Sequence, residues 1–476
     1  MVVGSVTPAA VALNRFGLGA RPGDSVTGDP QRYLLAQFER YDPAPAAFMQ
    51  LPEAGLLVQN YQAEQRAMRQ AAPPPTDGKD GATPARTPEQ QAARRDYVQE
   101  VRGLYRQAVQ ARTLSALATE APFVERMVHF WSNHFCVSAD NPQVTAFAGA
   151  FERDAIRPHV LGRFEDMLFA VEQHPAMLVY LNQSQSIGPD SPAGQRAAGN
   201  GKTRGLNENL AREIMELHTL GVRSGYSQAD VTEFAKALTG WSVDGLGLRG
   251  TREGDDSVGF LFRAQAHEPG ARTILGKRYH QPGAEQARAA LTDFAHAPQT
   301  ARHVATKLAR HFAGDNPPPA LIDRLAGSFA QSRGDLRALY ATLIASPETW
   351  SPQPLKFKTP WEWTVSALRG IGLEDPGTIQ VQGIQQQLGQ PVWKPGSPAG
   401  WDDLAASWAA PDALLRRVEI AQRFAAQRAS SLDARALGPR ILPGSLSAAT
   451  AQQVARAESP AVALALLLVS PDFLRR

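Results

Sequence analysis

From Tyr97 to Thr119 the chain sets Val98, Val101, Leu104, Tyr105, Val109, Leu114 and Leu117 at the three- and four-residue spacing of a single helix face, with few breakers between them. Side chains on a strand alternate between two faces, so such a stretch does not fit a sheet. Helix start and stop signals recur elsewhere. Ser227 opens SQADVTEFAKALTG with Asp230 three places on, a capping-box arrangement, and Gly240 closes it. Ser332 or Asp335 can start DLRALYATLIA, which stops at Ser346-Pro347. One region reads otherwise: GFLFRAQAHEPGARTILGKRY holds two β-prone runs, Phe260 to Phe262 and Thr273 to Leu275, around a glycine and proline loop. The expectation is a mainly α fold, one large helical domain over residues 1–476 with a small β-hairpin element.

Two segments break the helical texture, Ala71 to Gln91 and Gly188 to Gly205, both rich in proline, glycine and small polar residues. Helical sequence flanks each, so they read as flexible insertions within the domain. The Ser-Pro stops in LIASPETW and LLVSPDFL are a weak echo and do not make a repeat. A hydrophobic fraction of 43% with 20% charged residues excludes disorder for the bulk. The net charge of +3, with no basic block, gives no support for a nucleic-acid partner. The single cysteine, Cys136, excludes an internal disulfide and a cysteine zinc site. No signal peptide is visible, and the longest apolar run, Ala461 to Val469, is too short to span a bilayer, so the sequence alone reads as soluble and cytoplasmic. GLGLRG (Gly245 to Gly250) lacks the strand and helix that give a dinucleotide fingerprint meaning and reads as a loop. Phosphate-loop, serine-hydrolase and calcium-loop patterns are absent from the sequence.

Polar residues inside apolar helices are the stronger signal. In ERMVHFWSNHFCV (Glu125 to Val137), Glu125, His129, Ser132 and Cys136 fall on one stripe at 100° per residue, beside an apolar face of Val124, Val128, Trp131 and Phe135. A helix apolar around most of its circumference is buried, and buried histidines need partners. The simplest arrangement bonds His129 to Glu125 one turn back and His134 to a backbone carbonyl. The two histidines diverge by about 140°, which argues against a zinc site on this helix alone. In NENLAREIMELHTLG (Asn207 to Gly221), Glu213 falls beside Leu217 and His218 beside Ile214, at the edge of the apolar face. A carboxylate there needs a cation, a metal or a proton, whereas Glu208 can pair with Arg212 on the surface. His267 and Glu268 sit in the loop before Pro269-Gly270. Six of the eight tryptophans lie between Trp350 and Trp408, several beside proline or glycine, a composition that suits either a sugar-stacking platform or a plug under a loop.

These segments, with RFGLGARPG, KTPWEWTVSALRGIG, GQPVWKPGSPAGW and SPDFLRR, occur in order along nearly the whole chain, and as a set the sequence resembles the bacterial family called domain of unknown function 1800. The resemblance implies a predominantly helical protein, often exported, often encoded beside a companion of the domain-of-unknown-function 1501 family with a sulfatase-like or phosphatase-like fold. The sequence departs from that pattern in showing no signal peptide, which is the expectation for a trimmed start, for export in complex with a partner, or for a member that stays inside.

The reading ranked first is an enzyme, a hydrolase or lyase, whose acid/base or metal-assisted site is assembled from His129, His134, Glu213, His218 and His267. It would hold a divalent metal through His and Glu or act without one, on an extracellular polymer or glycan. The alternative is a non-enzymatic helical scaffold that binds the companion protein, the same polar groups fixing its packing. Convergence of the histidines and Glu213 at an open cleft favours the first; a sealed network favours the second.

Overall fold

A computed structural model describes residues 6–70, 87–199, 205–243, 259–354 and 356–476. The glycine-rich loop Gly245 to Gly250 and residues 71–86 and 200–204 of the two expected insertions lie outside them. The described ends of those insertions are structured. Thr87 caps the helix Pro88–Ala118 with a capping box completed by Gln90, and residues 192–199 form the helix Pro192–Gly199.

Helices dominate, and proline at the first turn opens many of them, where its missing N–H has no partner to lose. The periodic stretch from Tyr97 lies within Pro88–Ala118. The capping box at Ser227 opens Gln228–Leu238, and Asp335 caps Leu336–Ala345. The strands form two separate antiparallel pairs. β1 (Trp241–Val243) pairs with β2 (Phe260–Phe262), and β3 (Arg272–Ile274) pairs with β4 (Lys277–Tyr279). The two runs singled out in the sequence therefore belong to different ladders. Leu275 and Gly276, both at positive φ, form a two-residue turn immediately after Ile274, which commits β3 to the strand that follows it.

Among the described residues the helices enclose, besides one small cluster of Ile187, Ala193 and Ala266, two large apolar cores. One gathers the helix Pro122–His134 with Pro142–Phe151, Phe164–Glu172, Gln228–Leu238 and Pro298–Ala313. The other gathers Pro360–Gly370, Pro411–Arg428 and Pro460–Leu468. The long Pro88 helix serves both, with Tyr97 and Val101 in the first and Val109 and Leu117 in the second. Burial of side chains as large as Phe123, Trp131 and Trp363 contributes roughly 1.5–3 kcal/mol each. A cavity bordered by residues of both cores lies along the seam between them.

Candidate functional site

The Pro122 helix is buried on nearly every side, as its sequence requires. Between Pro122 and His134 only His129 and Asn133 are partly accessible, and these two, one turn apart, open onto a cavity of about 350 Å³. The cavity has aromatic walls from Phe130, Trp361, Trp393 and Trp401. Its polar groups come from the Pro88, Pro122, Pro298 and Pro360 helices and from the loop that follows Gln390.

Behind one wall lies a buried ionic network. Glu125 takes two hydrogen bonds from Arg157, at 3.0 and 2.5 Å, and Arg157 also reaches Glu152 at 3.4 Å. Arg112 pairs with Glu152 at 3.1 Å, and its guanidinium stacks 4.6 Å from the Trp361 ring and 5.3 Å from the Trp393 ring. Trp393 donates its indole N–H to Glu152 at 3.0 Å and also to Ser132 at 3.2 Å. Burial works against the Glu125 carboxylate, but Arg157 and then His129 outweigh it and keep it ionised below the usual range. One nitrogen of His129 is hydrogen-bonded and the other faces Glu125 without a hydrogen bond. Nδ1 accepts from the Trp361 indole at 3.2 Å, which leaves the proton on Nε2, 3.5 Å from Glu125. Burial and the adjacent Arg112 charge pull this imidazole down to about 4, so it is neutral at physiological pH.

The opposite wall is built around His311, whose Nδ1 donates to Asp403 at 2.9 Å. Its Nε2 is thereby the acceptor, 3.4 Å from the guanidinium groups of Arg126 and Arg476. Glu362 receives both arginines, Arg476 at 2.8 Å, and Lys356 pairs with Asp315 at 2.8 Å and Asp403 at 3.3 Å. Although burial raises both carboxyls, Arg476 and Arg126 hold Glu362 well below the usual range, and His311 and Lys356 bring Asp403 down to about 2. Burial lowers His311 despite Asp403.

Two cavity cations stand apart. Lys307 and Arg310, half-buried and three residues apart on the Pro298 helix, make no hydrogen bond or ion pair with any described residue. Burial lowers the Lys307 amine to about 8 against the opposing pull of Cys136 and Asp403, with Arg310 lowering it further.

The loop bearing Trp401 is pinned by the end of the Pro122 helix. Asn133 donates to the Trp401 carbonyl at 2.9 Å and accepts from its N–H at 2.7 Å, while Cys136 donates its thiol to the carbonyls of Ser397 and Pro398 at 3.3 Å. Burial raises that thiol to about 12, which suits a packed thiol rather than a nucleophile. Gly400 has φ +79°, and a Cβ there would lie 2.4 Å from the Asn133 carbonyl oxygen. Gly400→Ala is therefore expected to lower stability by about 1–2 kcal/mol from the backbone conformation alone, with more from the clash. Thermal unfolding checks this, and an unchanged melting temperature contradicts the clamp.

The residues expected from sequence are dispersed. His129 lines the cavity. His134 is sealed beneath it, donating from Nε2 to the His218 carbonyl at 3.1 Å, and its ring lies 5.9 Å from that of His303. The approach of His129 to Glu125 and the bond from His134 to a backbone carbonyl are the arrangement that the simplest sequence reading describes. His218 meets Glu172 at 2.7 Å, so the carboxylate facing this histidine is not Glu213. Glu213 is half-buried without a hydrogen bond or ion pair to a described residue, and burial raises its carboxyl. The cause of the displacement is local. Ile214–His218 is a π-helix, so a wheel drawn at 100° per residue loses its phase after Glu213. His267 lies apart at the β1–β2 ladder, bonded to the Thr239 carbonyl at 2.9 Å. Among the described residues no group of three or more His, Cys, Asp or Glu is arranged to hold a metal ion, and no helix is long and apolar enough to cross a membrane. Sequence reasoning passed over Lys307, Arg310, His311 and Asp403. The one available signal was KLARH, which sets two cations and a histidine beside the apolar stripe of Val304, Leu308 and Phe312.

No curated protein and no solved structure matches the chain. A family model described as protein of unknown function (DUF1800) matches residues 11–475, nearly the full length that carries both cores and the cavity between them, and the chain belongs to that family.

Proposed function

We propose that the cavity is an active site for a carbohydrate-like ligand bearing a negative charge. The observation that carries this reading is the pair of unpartnered cations, Lys307 and Arg310, facing a chamber walled by Trp361, Trp393 and Trp401. Trp401, the partly exposed one of the three, offers apolar area for a sugar ring while the buried Trp361 and Trp393 back the chamber, and two cations one turn apart suit a single anionic substituent. The neighbouring charges Arg112, Arg126, Glu362 and Asp403 are already committed to partners, so they hold the walls and leave recognition to the two that are free. Acid/base chemistry in this reading belongs to the cavity. His134 and His218, sealed and bonded to protein groups, support the packing role that the scaffold alternative gave them.

Quenching of cavity tryptophan fluorescence by uronic-acid oligosaccharides, compared with neutral oligosaccharides of equal length, tests the proposal. Acidic ligands are expected to bind more tightly at low salt and to lose affinity as salt screens the pair. Lys307→Met and Arg310→Met should each weaken binding about tenfold or more. Equal affinity for neutral and acidic oligosaccharides, or binding indifferent to both substitutions, refutes it.

A further inference from the structure

The free and committed groups in the cavity also select a reaction class. Hydrolysis of a glycoside requires a carboxylic acid that still carries its proton near neutral pH. Glu362 is clamped between Arg126 and Arg476, and Asp403 between His311 and Lys356; both are held ionised. His129 takes the Trp361 indole at Nδ1 and turns its other nitrogen toward Glu125 behind the wall, away from the chamber, and the Nε2 of His311 faces two guanidinium groups that oppose its protonation. Asp402, the remaining carboxylate of the lining, is exposed and takes the Ser407 hydroxyl, which leaves an amine with no partner among the described residues, Lys307, beside an unpartnered guanidinium, Arg310.

Resting on the reading of the cavity as an acidic-carbohydrate site, we infer that Lys307 is the proton acceptor in an eliminative cleavage of a uronate-containing polysaccharide, with Arg310 binding the uronate carboxylate. The neutral amine takes the proton from the ring carbon that bears the carboxylate. The electron pair of that C–H bond becomes a carbon–carbon double bond to the neighbouring ring carbon, and the bond from that neighbour to the glycosidic oxygen breaks, its pair leaving with the oxygen. The oxygen recovers a proton from the lysine ammonium just formed. No oxidant, reductant or added water is consumed, and the new chain end is an unsaturated uronate. Charge that builds on the carboxylate as the C–H bond breaks is met by Arg310.

The surroundings suit a lysine that must shed its proton. Arg310 on its own helix, and His134 and His303 from packed elements, add no negative charge, while Cys136 and Asp403 exert the opposing pull. With the amine at about 8, a substantial neutral fraction exists at mildly alkaline pH.

The test is incubation of the full-length protein with polygalacturonate, alginate, hyaluronan and chondroitin, followed by ultraviolet absorbance of the conjugated unsaturated product, with binding measured in parallel by tryptophan quenching. At least one polymer should yield that absorbance, at a rate rising with pH through about 8. Lys307→Arg keeps a positive charge but cannot release its proton, so it should bind within a few-fold of wild type while turnover falls about 100-fold or more. Arg310→Lys should keep measurable turnover with weaker binding, and unchanged melting temperatures exclude misfolding as the cause. A polymer that binds with no unsaturated product, or a Lys307→Arg protein that keeps its turnover, overturns the elimination and leaves the binding site standing. Absence of binding to all four polymers overturns both.

Discussion

Arg157→Met will lose about 3–5 kcal/mol of stability, the largest effect expected of any single substitution near the cavity. Arg157 is fully buried and is, among the described residues, the one cation that contacts both Glu125 and Glu152. Methionine fills much of the volume but leaves Glu125 with only His129 nearby, and His129 is neutral. An unpaired buried carboxylate is the source of the loss. Adding Glu125→Gln to Arg157→Met should recover part of it, because the amide has no charge to strand. Urea unfolding of the single and double variants provides the measurement. A single variant within about 1 kcal/mol of wild type, or a double variant no better than the single, would show that the network does not hold the fold in this way. The same carboxylates set the acid limit. Their folded pKa values lie below the unfolded ones, as does that of Asp403 on the other wall at about 2, so the stabilisation from all three is complete above the unfolded carboxylate range and is lost as pH falls through the folded values.

Lys358→Met is expected to act in the opposite direction. The Lys358 amine is buried, donates to the Ser366 hydroxyl at 3.1 Å, and lies 4.1 Å from the Phe473 ring centre, with no carboxylate in contact. Burial lowers it to about 7; Glu362 opposes this, and Arg126, Arg476 and Arg417 reinforce it. The unfolded chain, with an ordinary lysine near about 10.4, binds this proton more tightly than the folded one. Stability of the wild type should therefore rise with pH between about 7 and about 10, and the penalty is full below 7. Replacement by methionine should add about 1–4 kcal/mol at pH 6, and the gain should shrink as pH climbs toward 10. Denaturation midpoints of both proteins across that range decide the matter. A variant less stable than wild type at pH 6 would mean that the ammonium contributes more through its contacts than its burial costs.

The mainly helical fold and the burial of the Pro122 helix were legible because they follow from local periodicity. His129 was legible for the same reason, since its partner Glu125 lies one turn away on the same helix. The cavity was not. Its opposite wall depends on Asp403 meeting His311 and on Asn133 clasping Trp401, contacts between segments far apart in sequence that no periodicity encodes. Glu213 was placed by a wheel that the π-turn after it invalidates. The tryptophan cluster divides: Trp361, Trp393 and Trp401 line the cavity, whereas Trp363 is packed against Phe424 in the second core. Neighbouring indoles thus differ in whether they border the cavity or fill a packed core, a difference that composition does not encode.

The cavity is walled by residues from Leu18 to Asp403, and this span sets an order of events during synthesis. At translation rates of about 5–20 residues per second, roughly 15–50 seconds separate the emergence of His129 from that of Trp401 and Asp403. For that interval the nascent chain carries the Pro122 helix with the partners of Asn133 and Cys136 still unmade. Folding of the first core cannot complete this surface, so the seam is where a stalled or truncated chain would expose apolar side chains to chaperones and proteases.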